Sequence, residues 1–359
     1  MTLSVCLIVK NEQEVLERCL SCVKRFADEI VIVDTGSTDD TIQIAKKFTN
    51  NVYNFKWEYD FSAARNFCFS KATCDLVMWL DADDIVLDED IEKINNLKKV
   101  EKPADMYMFE YVLSHESDMT PIFSYARERV FLRSGNYKWV DAIHEVIIPS
   151  GRVEHVDIKI YHEKIKPTPK GRNLKIYQKL KQKKVVFSPR QQFYYARELM
   201  FNGYYKKAIS ELKKFLRMPD GWVENKIQAC IDISICMNNL GEFEKACQAL
   251  LQSFLLAPPR GEAVCRLGDN FLRQKKYDDA VFWYKQALSI QPNLNSGAFV
   301  EKDMYDFIPA LQLCYVYYLK GDLENSYKYH LVSQKLKPSH PSVLHNQNFF
   351  DNCFEKSRK

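Results

Sequence analysis

Five consecutive apolar residues, Leu76–Leu80, are followed at once by a cluster of acids. An unbroken apolar run of this length is typical of a strand that is buried on both faces of a mostly parallel sheet. Asp81, Asp83 and Asp84 stand at its end. Because a parallel α/β sheet binds ligands beyond the carboxyl ends of its strands, the sequence predicts a ligand site at this point.

Asp81 and Asp83 are candidates for binding a metal ion. Side chains two residues apart on an extended chain point in the same direction, so these two carboxylates can converge on one ion. Two hard oxygen ligands with further positions open suit Mn²⁺ or Mg²⁺ that holds the phosphates of a nucleotide. The alternative interpretation is that the acids cap the next helix, predicted to begin near Leu87, a role that suits Asp84 or Asp88.

Strand-like and helix-like segments alternate over the first 100 residues. The predicted strands are 3–9, 29–34, 51–55 and 76–80, and the predicted helices are 14–26, 40–48 and 62–71. Ser37 or Thr38 is placed to cap the second of these helices. Alternation of this kind indicates a doubly wound α/β sheet.

Four short motifs in this region form a recognisable set. They lie at 3–12 (LSVCLIVKNE), 33–41 (VDTGSTDDT), 60–66 (DFSAARN) and 80–84 (LDADD). In order and spacing they resemble the motifs of family 2 glycosyltransferases, which have a GT-A fold. The resemblance implies an α/β GT-A domain built on a Rossmann-like mixed sheet.

The resemblance also implies a donor, a UDP-hexose or a UDP-N-acetylhexosamine, and the residues that bind it. In this family the first strand and the D-G-S turn hold the nucleotide, and the D-x-D motif holds the metal ion on the diphosphate. The implied donor-binding residues are Val9, Asn11, Glu12, Asp34, Gly36, Ser37, Arg65, Asn66, Asp81, Ala82 and Asp83. Asp34 would face the nucleoside and Arg65 the nucleotide side of the pocket. Many members have a second acid that contacts the base where this chain has Thr35, a departure that bears on uracil recognition.

Residues 103–165 combine predicted strands with a candidate catalytic segment. The predicted strands are 106–112, 129–133 and 157–162. The pair His144–Glu145 resembles a motif of family members that contain tetratricopeptide repeats. An inverting transferase needs a carboxylate to take the proton of the acceptor, so Glu145 is the candidate base and Asp141 its rival. His162 matches a histidine that closes the catalytic domain of those members, as a third metal ligand or as an ordinary histidine at a strand end.

The second half of the chain has a repeating helical pattern. Four units align on pairs of small residues twelve positions apart: Ala196 and Ala208, Ser234 and Ala246, Gly268 and Ala280, Cys314 and Ser326. Successive units are 38, 34 and 46 residues apart, close to the period of tetratricopeptide repeats, with the extra length before the last unit at 293–308. Such units stack into a short solenoid, which offers a surface for a peptide or for a second copy of the chain. The aromatic candidates for such contacts are Tyr194, Tyr204, Trp222 and Tyr318.

These patterns predict four parts of the chain. A GT-A glycosyltransferase domain covers 1–165, a basic linker with one helix covers 166–189, the helical repeats cover 190–340, and a final helix with a tail covers 341–359. Every motif with phosphate or metal chemistry lies in the first part. The repeats contain no such motif, so we expect them to serve the acceptor or a homodimer.

Composition excludes several classes of function. The net charge is only +4, and basic and acidic residues are mixed along the chain. The chain therefore lacks the large positive charge that is typical of a nucleic-acid-binding protein. No apolar run approaches the ~20 residues that cross a bilayer. The apolar start of the chain is too short, and lacks the preceding basic residues, for a signal peptide. The eleven cysteines lie mostly in apolar segments and are odd in number, which indicates buried thiols in a cytoplasmic protein.

A metal-dependent, inverting transferase that moves a sugar to a protein or peptide is the function that these features favour. The domain order is similar to that of bacterial transferases of the sublancin-type S-glycosyltransferase and flagellin-modifying classes, an analogy of architecture only. The alternatives are a cell-surface polysaccharide or lipid-linked acceptor, and a repeat scaffold with an inactive transferase domain. A nucleotidyltransferase would need a glycine-rich loop after the first strand, where this chain has Lys10, Asn11 and Glu12.

Overall fold

The computed structural model describes residues 1–167, 169–293 and 300–357. The chain divides into two compact units, Met1–Val185 and Val186–Lys359. The strands of the first unit are β1 (Leu3–Val9), β2 (Glu29–Asp34), β3 (Val52–Asn54), β4 (Leu76–Leu80), β5 (Asp84–Ile85), β6 (Met106–His115), β7 (Pro121–Leu132), β8 (Trp139–Val140), β9 (Val146–Ile147) and β10 (Val153–His162). Its helices are α1 (Leu16–Val23), α2 (Thr41–Lys46), α3 (Phe61–Phe69), α4 (Asp88–Leu97) and α5 (Arg172–Gln182).

The main sheet is mixed and has the strand order β3-β2-β1-β4-β7-β6-β10-β5. Strands β1 to β4 run parallel to one another, β7 runs against β4 and β6, and β10 runs parallel to β6. The carboxyl ends of β1, β2, β4 and β10 therefore lie along one edge of the sheet. The short strand β5 pairs with the end of β10 and sets Asp84 opposite His162. This pairing brings the predicted histidine to the acid cluster.

Helices pack on both faces of this sheet. Val5 and Leu7 of β1 belong to a core that includes Leu20 of α1 and residues of α4. The intervening Cys6 packs on the other side with Cys68 of α3. Burial on both faces explains why the central strands are largely apolar along their length, without the alternation of a strand that has one exposed face. The predicted α/β GT-A fold, followed by helical repeats, is confirmed.

The predicted cap of α2 is wrong. The side chain of Asp39 accepts the amide of Thr41 at 3.1 Å, where the helix begins. Ser37 and Thr38 instead bond to Asn11: the Asn11 amide donates to Ser37 Oγ at 2.9 Å, and the Thr38 amide donates to Asn11 Oδ1 at 2.8 Å. These residues are used to join two loops, so they are not available to the helix.

The second unit is built from pairs of helices. They are α6 (Pro189–Phe201) and α7 (Tyr205–Leu216), α8 (Val223–Asn239) and α9 (Phe243–Ser253), α10 (Gly261–Arg273) and α11 (Tyr277–Ser289), α12 (Phe307–Leu319) and α13 (Leu323–Leu336), with α14 (Pro341–Ser357) last. All eight small residues of the predicted register are buried. The turns within the pairs share a left-handed residue: Gly203, Gly241, Lys275 and Gly321 have φ of 79°, 76°, 59° and 76°. The predicted insertion at 293–308 lies in part, at 294–299, outside the described residues.

Gly268 is the small residue at which α10 meets α11. A Cβ built there would lie 2.6 Å from ring carbons of Tyr284, whose side chain is fully buried. Alanine is the better helix former by about 1 kcal/mol, but overpacking a core typically costs about 1–3 kcal/mol. We expect Gly268→Ala to lower the midpoint of thermal unfolding followed by the helical signal, whereas Ser210→Ala on the exposed face of α7 should leave it unchanged. An unaltered midpoint in Gly268→Ala would show that the ring of Tyr284 gives way.

Three of the four aromatic candidates in the repeats are exposed. The exposed fractions are 50% for Tyr204, 47% for Trp222 and 46% for Tyr318, while Tyr194 is half-buried. Trp222 borders a groove within the second unit whose other walls include Arg197. Their use as a peptide surface or as a dimer surface stays a prediction.

The cysteines and the helices bear on two compositional predictions. Seven cysteines are buried thiols: Cys6, Cys19, Cys68, Cys230, Cys236, Cys265 and Cys314. Over the described ranges, no helix combines the length and the apolar character that crossing a bilayer requires. The cytoplasmic location stays a prediction.

Candidate active site

The loops after β1 and β2 are fastened to each other at the carboxyl edge of the sheet. Asn11 follows β1 with a left-handed backbone, φ 56°, and both its amide and its side chain bond to the loop after β2. The amide of Glu12 donates to Thr41 Oγ1 at 2.7 Å. These bonds bring Asn11, Glu12 and Ser37 together, as the sequence predicts for residues of one pocket.

Asp34 shapes the turn after β2 from within. Its carboxylate is 2% exposed and accepts the amides of Gly36 at 2.9 Å and Ser37 at 3.0 Å. Gly36 has a φ of 103°, a conformation that favours glycine. Thr35 faces the sheet, because its hydroxyl donates to the carbonyl of Val9 at 3.1 Å. The predicted contact of Asp34 with a nucleoside stays a prediction.

Arg65 of α3 links the acid cluster to the candidate base. Its Nη2 donates to Asp81 Oδ1 at 2.8 Å, and its Nε donates to Glu145 Oε1 at 2.8 Å. The guanidinium carbon also lies 4.8 Å from the ring centroids of Trp79 and Trp139. Burial alone would lower the pKa of Arg65, but the two carboxylates raise it, so the side chain stays charged.

Asp84 is the buried centre of the acid cluster. Its Oδ1 accepts the hydroxyl of Tyr111 at 2.9 Å and lies 3.2 Å from His162 Nδ1. Its Oδ2 accepts the amide of Asp81 at 3.0 Å and Nη1 of Arg129 at 3.2 Å. Both oxygens are therefore occupied, and α4 has no side-chain cap. The interpretation of Asp84 as a helix cap is wrong.

The residues around Asp84 suit a divalent cation. Asp81, Asp84 and His162 offer ligand atoms that lie within 4.8 Å of one another, and Asp83 Oδ1 lies 3.4 Å from His162 Nδ1. A histidine that binds a metal usually donates its other ring N–H to a carboxylate. Nδ1 of His162 lies against Asp84, Tyr111 and Asp83, so these side chains hold the ring at the acid cluster. Carboxylate oxygens with one imidazole fit Mn²⁺ or Mg²⁺.

The acids at this edge carry an excess of negative charge. Burial raises the pKa of Asp83, and repulsion from Asp81 and Asp84 adds to the effect. Burial and the charge of Asp83 raise the pKa of Glu12 to about 7. Burial also opposes ionisation of Asp81, but the charge of Arg65 outweighs it and brings the pKa of Asp81 to about 2. A divalent cation would relieve the repulsion that Arg65 leaves uncompensated.

The segment with both candidate bases has an unusual backbone. Asp141 and His144 have φ of 72° and 55°. Such left-handed residues are uncommon outside glycine and cluster at functional sites. The side chain of Glu145 is 13% exposed and joins the acid cluster through Arg65. The choice between Glu145 and Asp141 as the base stays a prediction.

Three further donor residues predicted by resemblance have structural contacts. Asn66 exchanges two hydrogen bonds of 2.9 Å with the backbone of Trp139, and so fixes β8 beside α3. Val9 and Ala82 are buried. Asn66, Val9 and Ala82 thus have structural roles in the fold itself. Their part in donor binding stays a prediction.

Sequence reasoning missed Tyr111 and Arg129, the buried partners of Asp84. The side chain of Arg129 has no exposed surface, and its guanidinium carbon lies 3.7 Å from the ring centroid of Trp79 and 4.2 Å from that of Tyr111. A signal was available, because an arginine inside a predicted buried strand at 129–133 needs a partner for its charge. The identity of that partner was not visible from the sequence.

Comparison with known proteins gives a family for the first unit. Residues 4–147 match the family described as Glycosyl transferase family 2, and residues 261–294 match a tetratricopeptide repeat. The first match includes every predicted site residue except His162. The second falls on the third helix pair of the repeats.

Two curated proteins show what the chain is similar to. The SPbeta prophage-derived glycosyltransferase SunS of Bacillus subtilis (strain 168) is 29% identical over 237 residues, which cover 60% of this chain and 54% of SunS. The TPR repeat-containing protein Synpcc7942_0270 of Synechococcus elongatus is 34% identical over 146 residues, which cover 40% of this chain and 35% of that protein. The chain thus spans about half the length of SunS.

Among solved structures, S. aureus TarS 1-349 in complex with UDP-GlcNAc aligns with 95% of this chain and 93% of its own. The identity is 13% and the TM-score is 0.38, so this likeness supports no conclusion. The family match and the fold of the first unit agree with each other. The chain therefore contains a family 2 glycosyltransferase domain, followed by a region of tetratricopeptide-like repeats.

Proposed function

We propose that this chain is a metal-dependent, inverting glycosyltransferase that moves a sugar from a nucleotide sugar to a protein or peptide. The donor would be a UDP-hexose or a UDP-N-acetylhexosamine. The observation that supports the proposal most is the contact of Arg65 with both Asp81 and Glu145 at 2.8 Å. One cation thereby joins a candidate metal ligand to the candidate base, which supports a site where the donor and the acceptor would meet.

Asp81, Asp83 and His162 would hold the metal ion. When bound, it supplies positive charge for the nucleoside diphosphate that departs from the sugar. Asp84 and Tyr111 orient His162 through its Nδ1. Asn11 and Ser37 shape the neighbouring loops that would receive the nucleotide.

Glu145 would take the proton of the acceptor nucleophile as the bond from the sugar to the diphosphate breaks. Arg65 holds Oε1 of Glu145, and in the described part of the chain Oε2 makes no hydrogen bond. The nucleophile forms its bond to the sugar from the face opposite the diphosphate, so the configuration inverts. Asp141 is the rival for the role of base.

The repeats support a protein or peptide as the acceptor. Stacked helix pairs offer an extended surface that can bind a peptide chain, and Tyr204, Trp222 and Tyr318 provide exposed aromatic anchors. A homodimer through the same surface is the other use of the repeats. With a polysaccharide or a lipid-linked acceptor, the catalytic groups would have the same roles. Only the molecule that binds next to them would differ.

Asp83→Asn tests the metal part of the proposal. A donor at 100 times its Kd adds about 2.7 kcal/mol to the free energy of unfolding. We expect a UDP-sugar with Mn²⁺ to stabilise the natural chain in a thermal-shift panel, and to leave Asp83→Asn unshifted, because the amide lacks the charge that a divalent cation requires. Asp88→Asn, which alters an exposed acid of α4, is the matched control. Full stabilisation of Asp83→Asn would contradict the assignment.

A further inference from the structure

A basic segment, residues 164–184, stands apart from the rest of the chain in its charge. It contains eight lysines and Arg172 but no acidic residue. The other 338 residues contain 42 basic and 47 acidic residues, a net charge of −5. The net positive charge of the chain is therefore concentrated in this one segment, and four of its nine basic residues lie on α5.

Helix α5 keeps its charges on the surface. Its buried side chains are Leu174, Ile176 and Tyr177. Its exposed side chains are Arg172, Lys175, Gln178, Lys179, Lys181 and Gln182. Within the described ranges, no carboxylate lies within 4.0 Å of Lys175 or Lys179, so these two cations are not neutralised by the chain.

The helix lies beside the candidate base. The ring of Tyr177 stacks on that of His144 with centroids 6.4 Å apart and an interplanar angle of 26°. His144 directly precedes Glu145. The basic segment is thus in contact with the segment that would take the proton of the acceptor.

The cations of α5 also lie over aromatic rings next to the site. The Nζ atoms of Lys175 and Lys179 are 5.4 and 5.6 Å from the ring centroid of Tyr59, and Arg172 is 5.1 Å from that of Phe61. Phe61 is the first residue of α3, the helix that bears Arg65 at the centre of the candidate site. Cation–π contacts restrict the positions of these three side chains, so their positive charges stay next to the candidate site.

We propose that the basic segment is the acceptor-docking surface and that it binds an acidic segment of the acceptor protein beside its nucleophile. The inference rests on the proposed function: Asp and Glu supply almost all the negative charge of an unmodified protein, so an acidic stretch is the feature that complements this surface. A membrane surface is the weaker fit, because an interfacial helix needs a free apolar face and the exposed residues of α5 are all Lys, Arg or Gln.

Fluorescence anisotropy with labelled synthetic peptides tests the docking surface. One peptide has a central Ser-Thr-Cys-Asn flanked by Asp and Glu, and its partner has the same centre flanked by Gln and Ser. We expect the natural chain to bind the acidic peptide about tenfold more tightly at low salt, and the preference to fade as salt is added. Lys175→Glu/Lys179→Glu should abolish the preference. Lys213→Glu/Lys214→Glu on the exposed face of α7, which makes the same change in net charge, should retain it.

Three results would overturn the inference: equal affinity for both peptides, tighter binding of poly(glycerol phosphate) than of the acidic peptide, or sedimentation with phosphatidylglycerol vesicles that the double variant abolishes. Metal-dependent release of UDP from a UDP-sugar, measured without any acceptor, reports on the proposed function separately. Loss of the peptide preference with UDP release intact would refute only the docking surface. A peptide preference without UDP release would refute only the transferase activity.

Discussion

Replacement of Glu145 by glutamine is expected to lower kcat for sugar transfer by roughly 10²–10⁴, the usual contribution of a positioned general base. Glutamine has the same shape and can still accept a hydrogen bond from Arg65 at the position of Oε1. It cannot take a proton at neutral pH. The affinity for the donor should change little, so kcat and the donor Kd are measured separately. A thiol acceptor would reduce the effect, because part of it is already thiolate.

Asp141→Asn is the matched variant for this experiment, because it removes the rival carboxylate from the same segment. It should retain most of the transfer rate. If the large loss appeared in Asp141→Asn and not in Glu145→Gln, the two roles would be exchanged. If Glu145→Gln lost donor binding as strongly as transfer, Glu145 would act by positioning Arg65 and Asp81 instead of by proton transfer.

Replacement of Arg129 by methionine is expected to lower the free energy of unfolding by about 3–5 kcal/mol. Arg129 and Asp84 are both fully buried, and Nη1 lies 3.2 Å from Oδ2 of Asp84. Removing the arginine takes away the cation at Oδ2 of this buried carboxylate and leaves only Tyr111 and His162 as side-chain partners, both at Oδ1. Urea unfolding followed by fluorescence of the tryptophans, which include Trp79 beside Arg129, measures the loss.

Two further variants separate the charge effect from lost packing. Asp84→Asn combined with Arg129→Met should recover part of the stability, because the buried charge is then gone. Arg152→Met, which breaks an ion pair whose side chains are half-exposed, should cost far less. Comparable losses in Arg129→Met and Arg152→Met would mean that the pair with Asp84 contributes nothing special to stability.

The central strands could be predicted from the sequence to the residue. β1, β2 and β4 contain the apolar runs 5–9, 30–33 and 76–80, each followed directly by a polar residue, and the predicted strand bounds are those observed. β7 is different, because only its end at 129–132 falls within the predicted strand, whereas the strand begins at Pro121. Its first half, residues 121–127, is mostly half-buried with only Ile122 and Ala126 exposed, a weak signal for a strand that depends on pairing with β6.

Several residues of the site could be predicted from the sequence, but the hydrogen bonds and ion pairs between them could not. The three acids after β4 pointed to a cation site, and the D-x-D pair named two of its residues. The role of Asp84 was not predictable, because its partners Tyr111, Arg129 and His162 lie 27, 45 and 78 residues away in the chain. The bridge from Arg65 to Glu145 spans 80 residues. Such contacts follow from the order of strands in the sheet, which local periodicity does not encode.

Release of UDP from UDP-sugars, followed in Mn²⁺ and in EDTA, tests the central claim most directly. The measurement needs neither the natural acceptor nor the repeats, because slow transfer of the sugar to water reports the donor chemistry alone. The account predicts release from at least one UDP-hexose or UDP-N-acetylhexosamine, its loss in EDTA, its recovery when Mn²⁺ or Mg²⁺ is restored, and its absence in Asp83→Asn. Release that continues undiminished in EDTA and in Asp83→Asn, or no release from any UDP-sugar tested, would contradict it.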